Sequence, residues 1–187
     1  MPKKRNIVLR TKTTELRSLE LNNIEQIRKW RNSEEIGKNF IFRDKITKEQ
    51  QLKWFKRIDS SENDYFFSIL NKGVLVGLTE VKKIDWNKNT GDAGLFIAPE
   101  YQNSLIPFES TILLLDFSFY ELGLKRINIK VLTDNQRAMR FNQYMGYKEF
   151  NSYAQEINNS ITKITEMYLD EESYIKNRHK ICSLIDI

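Results

Sequence analysis

Apolar residues recur along this chain in two rhythms, every second position and every third or fourth, and the changes of rhythm mark its elements. Ile7 to Leu9 reads as a short first strand, with Leu16 to Leu21 as its continuation or partner. Ile24, Ile27 and Trp30 fall on one side of a helix that Asn22 or Asn23 can cap. That helix ends in Trp30-Arg31-Asn32, and Ser33 to Asp44 shows no clear period. Thr47, with Gln50 three residues on, is a capping box opening a second helix that buries Leu52, Phe55 and Ile58, with Trp54 beside them.

Tyr65 to Leu70 and Val74 to Ile84 read as a hairpin around Asn71-Lys72-Gly73. Asp85 to Thr90 is turn-like, and Asp92 to Ala98 is the next strand, ended by Pro99. The loop Gln102 to Phe108 contains no glycine and leads into a helix with Pro107 and Glu109 in its first turn. Ile112, Leu113, Leu114, Leu115, Phe117 and Phe119 surround much of that helix, which predicts burial against the sheet, and Gly123 suits its left-handed end. Ile127, Ile129 and Val131 alternate on a strand, and Thr133 with Gln136 predicts a second capping box for a helix running to Met145 and stopped by Gly146. Tyr147 to Ala154 and Ile161 to Leu169 read as a closing hairpin around Asn158-Asn159, and from Asp170 the chain reads as a surface helix or loose tail.

This order predicts an α+β fold: a mostly antiparallel sheet with one parallel step in its middle, made by a right-handed strand–helix–strand crossover. Loops after such strands, and the helix N-termini they feed, favour anions. Function is therefore sought first between Gly91 and Tyr147.

Composition narrows the chemistry. The 187 residues are most simply one domain, 1–187, with 170–187 as its C-terminal tail. A net charge of +5 fits an anionic small molecule or nucleotide but fits many plain soluble proteins as well, and the basic residues are scattered among acids, which makes a nucleic-acid partner a poor reading. One Cys and one His exclude an intrachain disulfide and a cysteine-built metal site, and leave His-based zinc chemistry or a Ser-His-Asp triad little support. The N-terminal segment has no apolar run long enough for a signal peptide or membrane span, so a cytoplasmic location follows by elimination.

The segments KWRN, VGLTEVKKID, AGLFIAPEY and LLLDFSFYELGLKRI, followed by N-x-x-A-x-x-F and MGY, resemble in order and spacing the GCN5-related N-acetyltransferases. The similarity spans about Leu19 to Leu169. Within that superfamily the chain looks most like the ribosomal-protein N-terminal alanine acetyltransferases and the enzymes that acetylate amino groups on nucleotide-linked sugars. The resemblance implies a twisted, mostly antiparallel sheet with a central splayed parallel pair, flanked by about four helices. It also implies transfer of an acetyl group from acetyl-CoA to a primary amine, on a nucleotide-linked amino sugar or a protein N-terminus. Partners would be that small-molecule amine or protein terminus; no metal or membrane is implied, and a homodimer is compatible.

The implied cofactor site has named positions. Backbone groups of Leu95, Phe96 and Ile97 would pair with the pantetheine arm, and Asn135 would hydrogen-bond it; from the residues alone, Asn135 reads equally as a helix start after Asp134. Gln102, Asn103, Ser104 and Phe108 would receive the pyrophosphate, where Leu105 and Pro107 replace the glycines usual in the family. Asn142 stands where many members carry the Tyr that protonates the leaving thiolate. Glu80 is the first candidate for the base, with an ordinary strand carboxylate as the competing reading, and Asp92 is a weaker candidate. Trp30, Arg31 and Asn32 would line the acceptor side. The glycine-free loop keeps a second class open: a non-catalytic binding module on the same fold.

Overall fold

The structure, a computed structural model, describes residues 6–185. Eight strands form one sheet in the spatial order β1-β2-β3-β4-β5-β6-β8-β7. They are β1 (Val8–Arg10), β2 (Thr14–Ser18), β3 (Tyr65–Asn71), β4 (Val74–Asp85), β5 (Thr90–Ile97), β6 (Arg126–Leu132), β7 (Lys148–Ile157) and β8 (Ser160–Asp170). Every neighbouring pair is antiparallel except β5 and β6. The expected α+β sheet with a central parallel step is therefore the fold.

The parallel pair is short. Its register runs Thr90↔Arg126, Gly91↔Ile127 and Asp92↔Asn128, and then stops. Past that point each strand is held by its outer neighbour. β5 stays on β4 as far as Ile97↔Gly77, and β6 stays on β8 as far as Leu132↔Ile164. The inner edges of both strands diverge with backbone groups that no ladder takes up.

Six α-helices flank the sheet among the described residues: α1 (Ile24–Asn32), α2 (Glu34–Gly37), α3 (Lys48–Ser60), α4 (Ile106–Asp116), α5 (Gln136–Tyr144) and α6 (Glu171–Ile185). Two of them depart from the expected four. Ser33 caps the four-residue α2 by accepting the Ile36 N–H, too short a turn for any periodicity to announce. The tail is a docked helix: Tyr174, Ile181 and Cys182 are buried, and Asp116 accepts from the Tyr174 hydroxyl at 2.8 Å and from two nitrogens of Arg178 at 2.7 Å. Residues 186–187 of the tail lie outside the described part.

The two faces of the sheet bury different clusters. Residues of α4, α5 and α6 pack with Phe67, Val81, Ile127 and Met167 in the larger one. On the other face α1, α2 and α3 close over Leu78 and Phe96 with Trp30, Phe40, Trp54 and Phe66. The capping box of Thr47 and Gln50 forms as expected. The helix behind it is rotated, however. Gln51 is buried with its amide on the Ile24 carbonyl, 3.2 Å away, and Leu52 is 40% exposed. The second expected box does not form: the α5 N-cap is Asn135, whose side chain accepts the Ala138 N–H, and Gln136 donates instead to the Thr133 carbonyl. A short polar side chain one residue before the helix outcompetes one three residues before it.

Glu109 on the first turn of α4 is buried, and its carboxylate accepts the Thr13 hydroxyl at 2.7 Å and the Thr14 hydroxyl. This ties the helix that follows the splayed strand to the segment entering β2. Glu109→Ala should lower unfolding free energy by about 2–4 kcal/mol, since two hydroxyls lose their acceptor and a cavity opens. Urea denaturation measures this, and a loss below about 0.5 kcal/mol would remove the tie from the account.

Candidate active site

The gap between β5 and β6 is built by strand alternation. The Gly94 carbonyl accepts the Thr79 hydroxyl at 2.9 Å, and the Ala98 N–H donates to the Val76 carbonyl at 2.8 Å, so both residues turn their backbone toward β4. By the period of two, Phe96 does so as well, while Leu95 and Ile97 turn their N–H groups into the gap. The Ile97 carbonyl is taken by the Gln102 side-chain amide at 2.9 Å. Phe96 thus differs from its expected place. Its backbone belongs to the β4 ladder, and its ring receives Trp30 and Phe40 edge-on at 6.2 and 5.8 Å.

At the open end of the gap the glycine-free loop still presents unpaired donors. The N–H groups of Asn103, Ser104, Leu105 and Phe108 have no partner among the described residues, whereas the Ile106 N–H is held by the Ser104 hydroxyl. They sit at the N-terminus of α4, where the helix dipole favours an anion. The negative charge of Glu109 is turned away into its threonine pocket. Arg137, on α5, reaches across and donates to Gln102 Oε1 at 2.9 Å, to the Gln102 carbonyl and to Asn103 Oδ1 at 3.0 Å. The loop takes its shape from this guanidinium rather than from glycine. Sequence gave no hint of Arg137, because its partners lie 34 and 35 residues away.

Other expected positions have been drawn into local bonds. Asn135 caps α5 and donates to Asn39 Oδ1 at 3.3 Å. The Asn142 amide donates back to the Ala138 carbonyl at 2.8 Å on its own helix. Phe108 packs on Phe141 and Tyr144, with ring centroids 5.0 and 5.7 Å away. Asn32 clasps both backbone groups of Ile46 at 2.8 Å. Trp30 belongs to the packed cluster under α1.

The closed end of the gap carries charge. Glu80, Lys82 and Asp92 share the face covered by α1–α3, since Glu80 pairs with Gly94 and Lys82 with Asp92 across β4 and β5. Lys82 Nζ lies 2.7 Å from Glu80 Oε1, and this carboxylate raises the lysine above its ordinary pKa against the opposing effect of burial. Arg31 leans on the Phe40 ring, 3.3 Å from its centroid, and donates to the Phe42 carbonyl. Burial lowers its pKa to about 10, with Glu80 opposing the drop. Asp92 has no hydrogen bond or ion pair from its side chain among the described residues, and it stands where the parallel pair ends. A groove of about 390 Å³ opens beside it, lined among others by Thr90, Asp92, Arg126, Asn128, Lys130 and Phe150. The sequence carried a signal for this groove: Arg126, Asn128 and Lys130 are the polar half of the β6 alternation. Among the described residues no group of three or more His, Cys, Asp or Glu could hold a metal ion, and no helix is long and apolar enough to cross a membrane.

A profile of the acetyltransferase (GNAT) domain matches residues 14–148. The chain belongs to the GNAT acetyltransferase family. Among curated proteins, the spermidine N(1)-acetyltransferase of Vibrio cholerae is 27% identical over 121 residues, which is 63% of this chain and 68% of that one. The crystal structure of the Vibrio cholerae spermidine N-acetyltransferase in complex with CoA and spermine superposes with a TM-score of 0.83 at 21% identity, covering 88% of this chain and 99% of that one. A GCN5-related N-acetyltransferase from Brucella melitensis reaches 0.80 at 14% identity, over 97% and 86% of the two chains.

In this GNAT acetyltransferase one glycine makes room for charge. A Cβ added at Gly94 would lie 2.4 Å from Glu80 Oε1 and 2.9 Å from its Cδ. Gly94→Ala should therefore push the Glu80 carboxylate out of place and cut turnover about tenfold, a loss absent when Glu80 is already alanine. Steady-state kinetics on the double-mutant cycle tests this; strictly additive losses would contradict it.

Proposed function

We propose that the protein transfers an acetyl group from acetyl-CoA to the primary amine of a small molecule, in the gap between β5 and β6. The observation that carries the reading is the pairing of two features at opposite ends of that gap: N–H donors at the α4 N-terminus and a carboxylate, Asp92, at the vertex, both without partners among the described residues. Bound there, acetyl-CoA would supply the thioester. Asn103, Ser104, Leu105 and Phe108 would hold its diphosphate, and the inward-facing groups of Leu95 with the Ile97 N–H would pair with its arm as an added strand, the Ile97 carbonyl staying on Gln102. The Leu95 N–H is then the donor nearest the vertex and polarises the carbonyl under attack.

The acceptor enters through the groove beside Asp92. An amine is mostly protonated at neutral pH, so a base must take one proton before attack, and the second N–H proton passes to solvent or to the departing thiolate as the amide forms. Asp92 takes the first; Glu80, held by Lys82, fixes the neighbouring charge and keeps Arg31 and Lys82 from overwhelming it. No general acid is needed at Asn142, whose amide serves its own helix, because a thiol of pKa about 8.5 leaves tolerably well as thiolate. The amine of a nucleotide-linked sugar, a protein N-terminus and a polyamine such as the one named for the Vibrio cholerae relatives all present the required nucleophile.

Acetyl-CoA at one hundred times its Kd should stabilise the native state by about 2.7 kcal/mol, a rise in Tm of roughly 5–10 °C. No rise at millimolar concentration overturns the reading. Asp92→Asn should leave that rise in place and lower kcat about a hundredfold, which steady-state kinetics measures.

A further inference from the structure

We propose that the acceptor carries an anionic group besides its amine, and that Arg126 binds this group at the far end of the groove. The inference rests on the acetyl-transfer reading above and names the substrate class of the same site. Arg126 stands on the first residue pair of the β5–β6 ladder, opposite Thr90, two residues before the pair that Asp92 makes with Asn128. Its guanidinium carbon lies 4.1 Å from the Tyr168 ring centroid and 4.8 Å from that of Phe150, so aromatic faces hold it on two sides. Its Nε donates to Asn128 Oδ1 at 2.9 Å. Its two terminal nitrogens have no hydrogen-bond partner among the described residues.

The surrounding carboxylates are committed elsewhere. Glu166 accepts from Lys130 and from Asn151, each at 2.8 Å. Asp170, directly opposite Arg126 on β8, turns away to accept the Ser173 N–H at 2.7 Å. Lys130 is neutralised by its pair with Glu166, which leaves Arg126 as the groove's unpaired cation and Asp92 as its unpaired anion among the described residues. The two Cα atoms are one strand and two residues apart, roughly 8 Å. This is a dipolar site. A molecule with an ammonium at one end and a phosphate or carboxylate a few bonds away matches it, its body lying on the half-exposed Phe150 ring. A polyamine does not match, because its second ammonium would lie against a guanidinium that no neighbour among the described residues neutralises.

Calorimetry on the protein saturated with CoA tests this without turnover, with glucosamine and glucosamine 6-phosphate as probes. The phosphorylated amine should bind at least tenfold more tightly than the neutral one, and that ratio should fall toward one in Arg126→Gln and be partly restored in Arg126→Lys. Equal affinity for the two probes in the wild type, or an unchanged ratio in Arg126→Gln, overturns the proposal. Kinetics gives the second arm: spermidine preferred over glucosamine 6-phosphate as acceptor contradicts the anion site while leaving acetyl transfer intact. A protein that binds no CoA fails the earlier reading instead.

Discussion

The structure turns on the parting of two strands. β5 and β6 pair in parallel for three residue pairs and then diverge, because each is already committed along its length to an antiparallel neighbour. An unpaired backbone group inside a sheet is costly unless something satisfies it. The Ile97 carbonyl finds the Gln102 amide; the inward groups of Leu95 are left for a ligand. The helix that crosses from one strand to the other begins at the open end of this gap, so one topological step creates the backbone edge, the anion-favouring helix terminus and the vertex together. α4 is fixed in that position by the burial of Glu109 on Thr13 and Thr14 and by α6 through Asp116.

Charge is distributed along the gap in a consistent way. Its open end pairs helix N–H groups with Arg137, and its closed end sets Glu80 and Asp92 against Lys82 and Arg31. The first arrangement suits an anion such as a diphosphate; the second sets two carboxylates beside a nearly neutral background. The loop has no glycine, yet it presents donors. The donors come from residues in ordinary right-handed or extended backbone, and a distant arginine braces them.

Much of the fold was legible because hydrophobic alternation and capping are local. The β3–β4 hairpin, the Thr47 box and the alternation of Ile127, Ile129 and Val131 required only neighbours within a few residues. What escaped depended on distance in sequence. Asp116 meets Tyr174 and Arg178 across about 60 residues, which docks against the core a segment that reads as a surface helix or loose tail. At the site, the splayed pair and its loop were readable, but the roles of single side chains were not. Asn142 and Asn135 are claimed by local backbone bonds, and Phe96 faces the wrong way by one step of the strand period. Arg126 was visible only as the polar half of an alternation, and its lack of a carboxylate partner among the described residues needed the whole sheet.

The central claim is that the inner edge of β5 receives the acyl carrier as an added strand. Amide hydrogen exchange read residue by residue, with and without saturating acetyl-CoA, tests it directly. The Leu95 and Ile97 amides should slow markedly on binding, while Phe96, already in the β4 ladder, should change little. Unchanged exchange at Leu95 and Ile97 in a protein that demonstrably binds acetyl-CoA would place the carrier elsewhere and contradict the account.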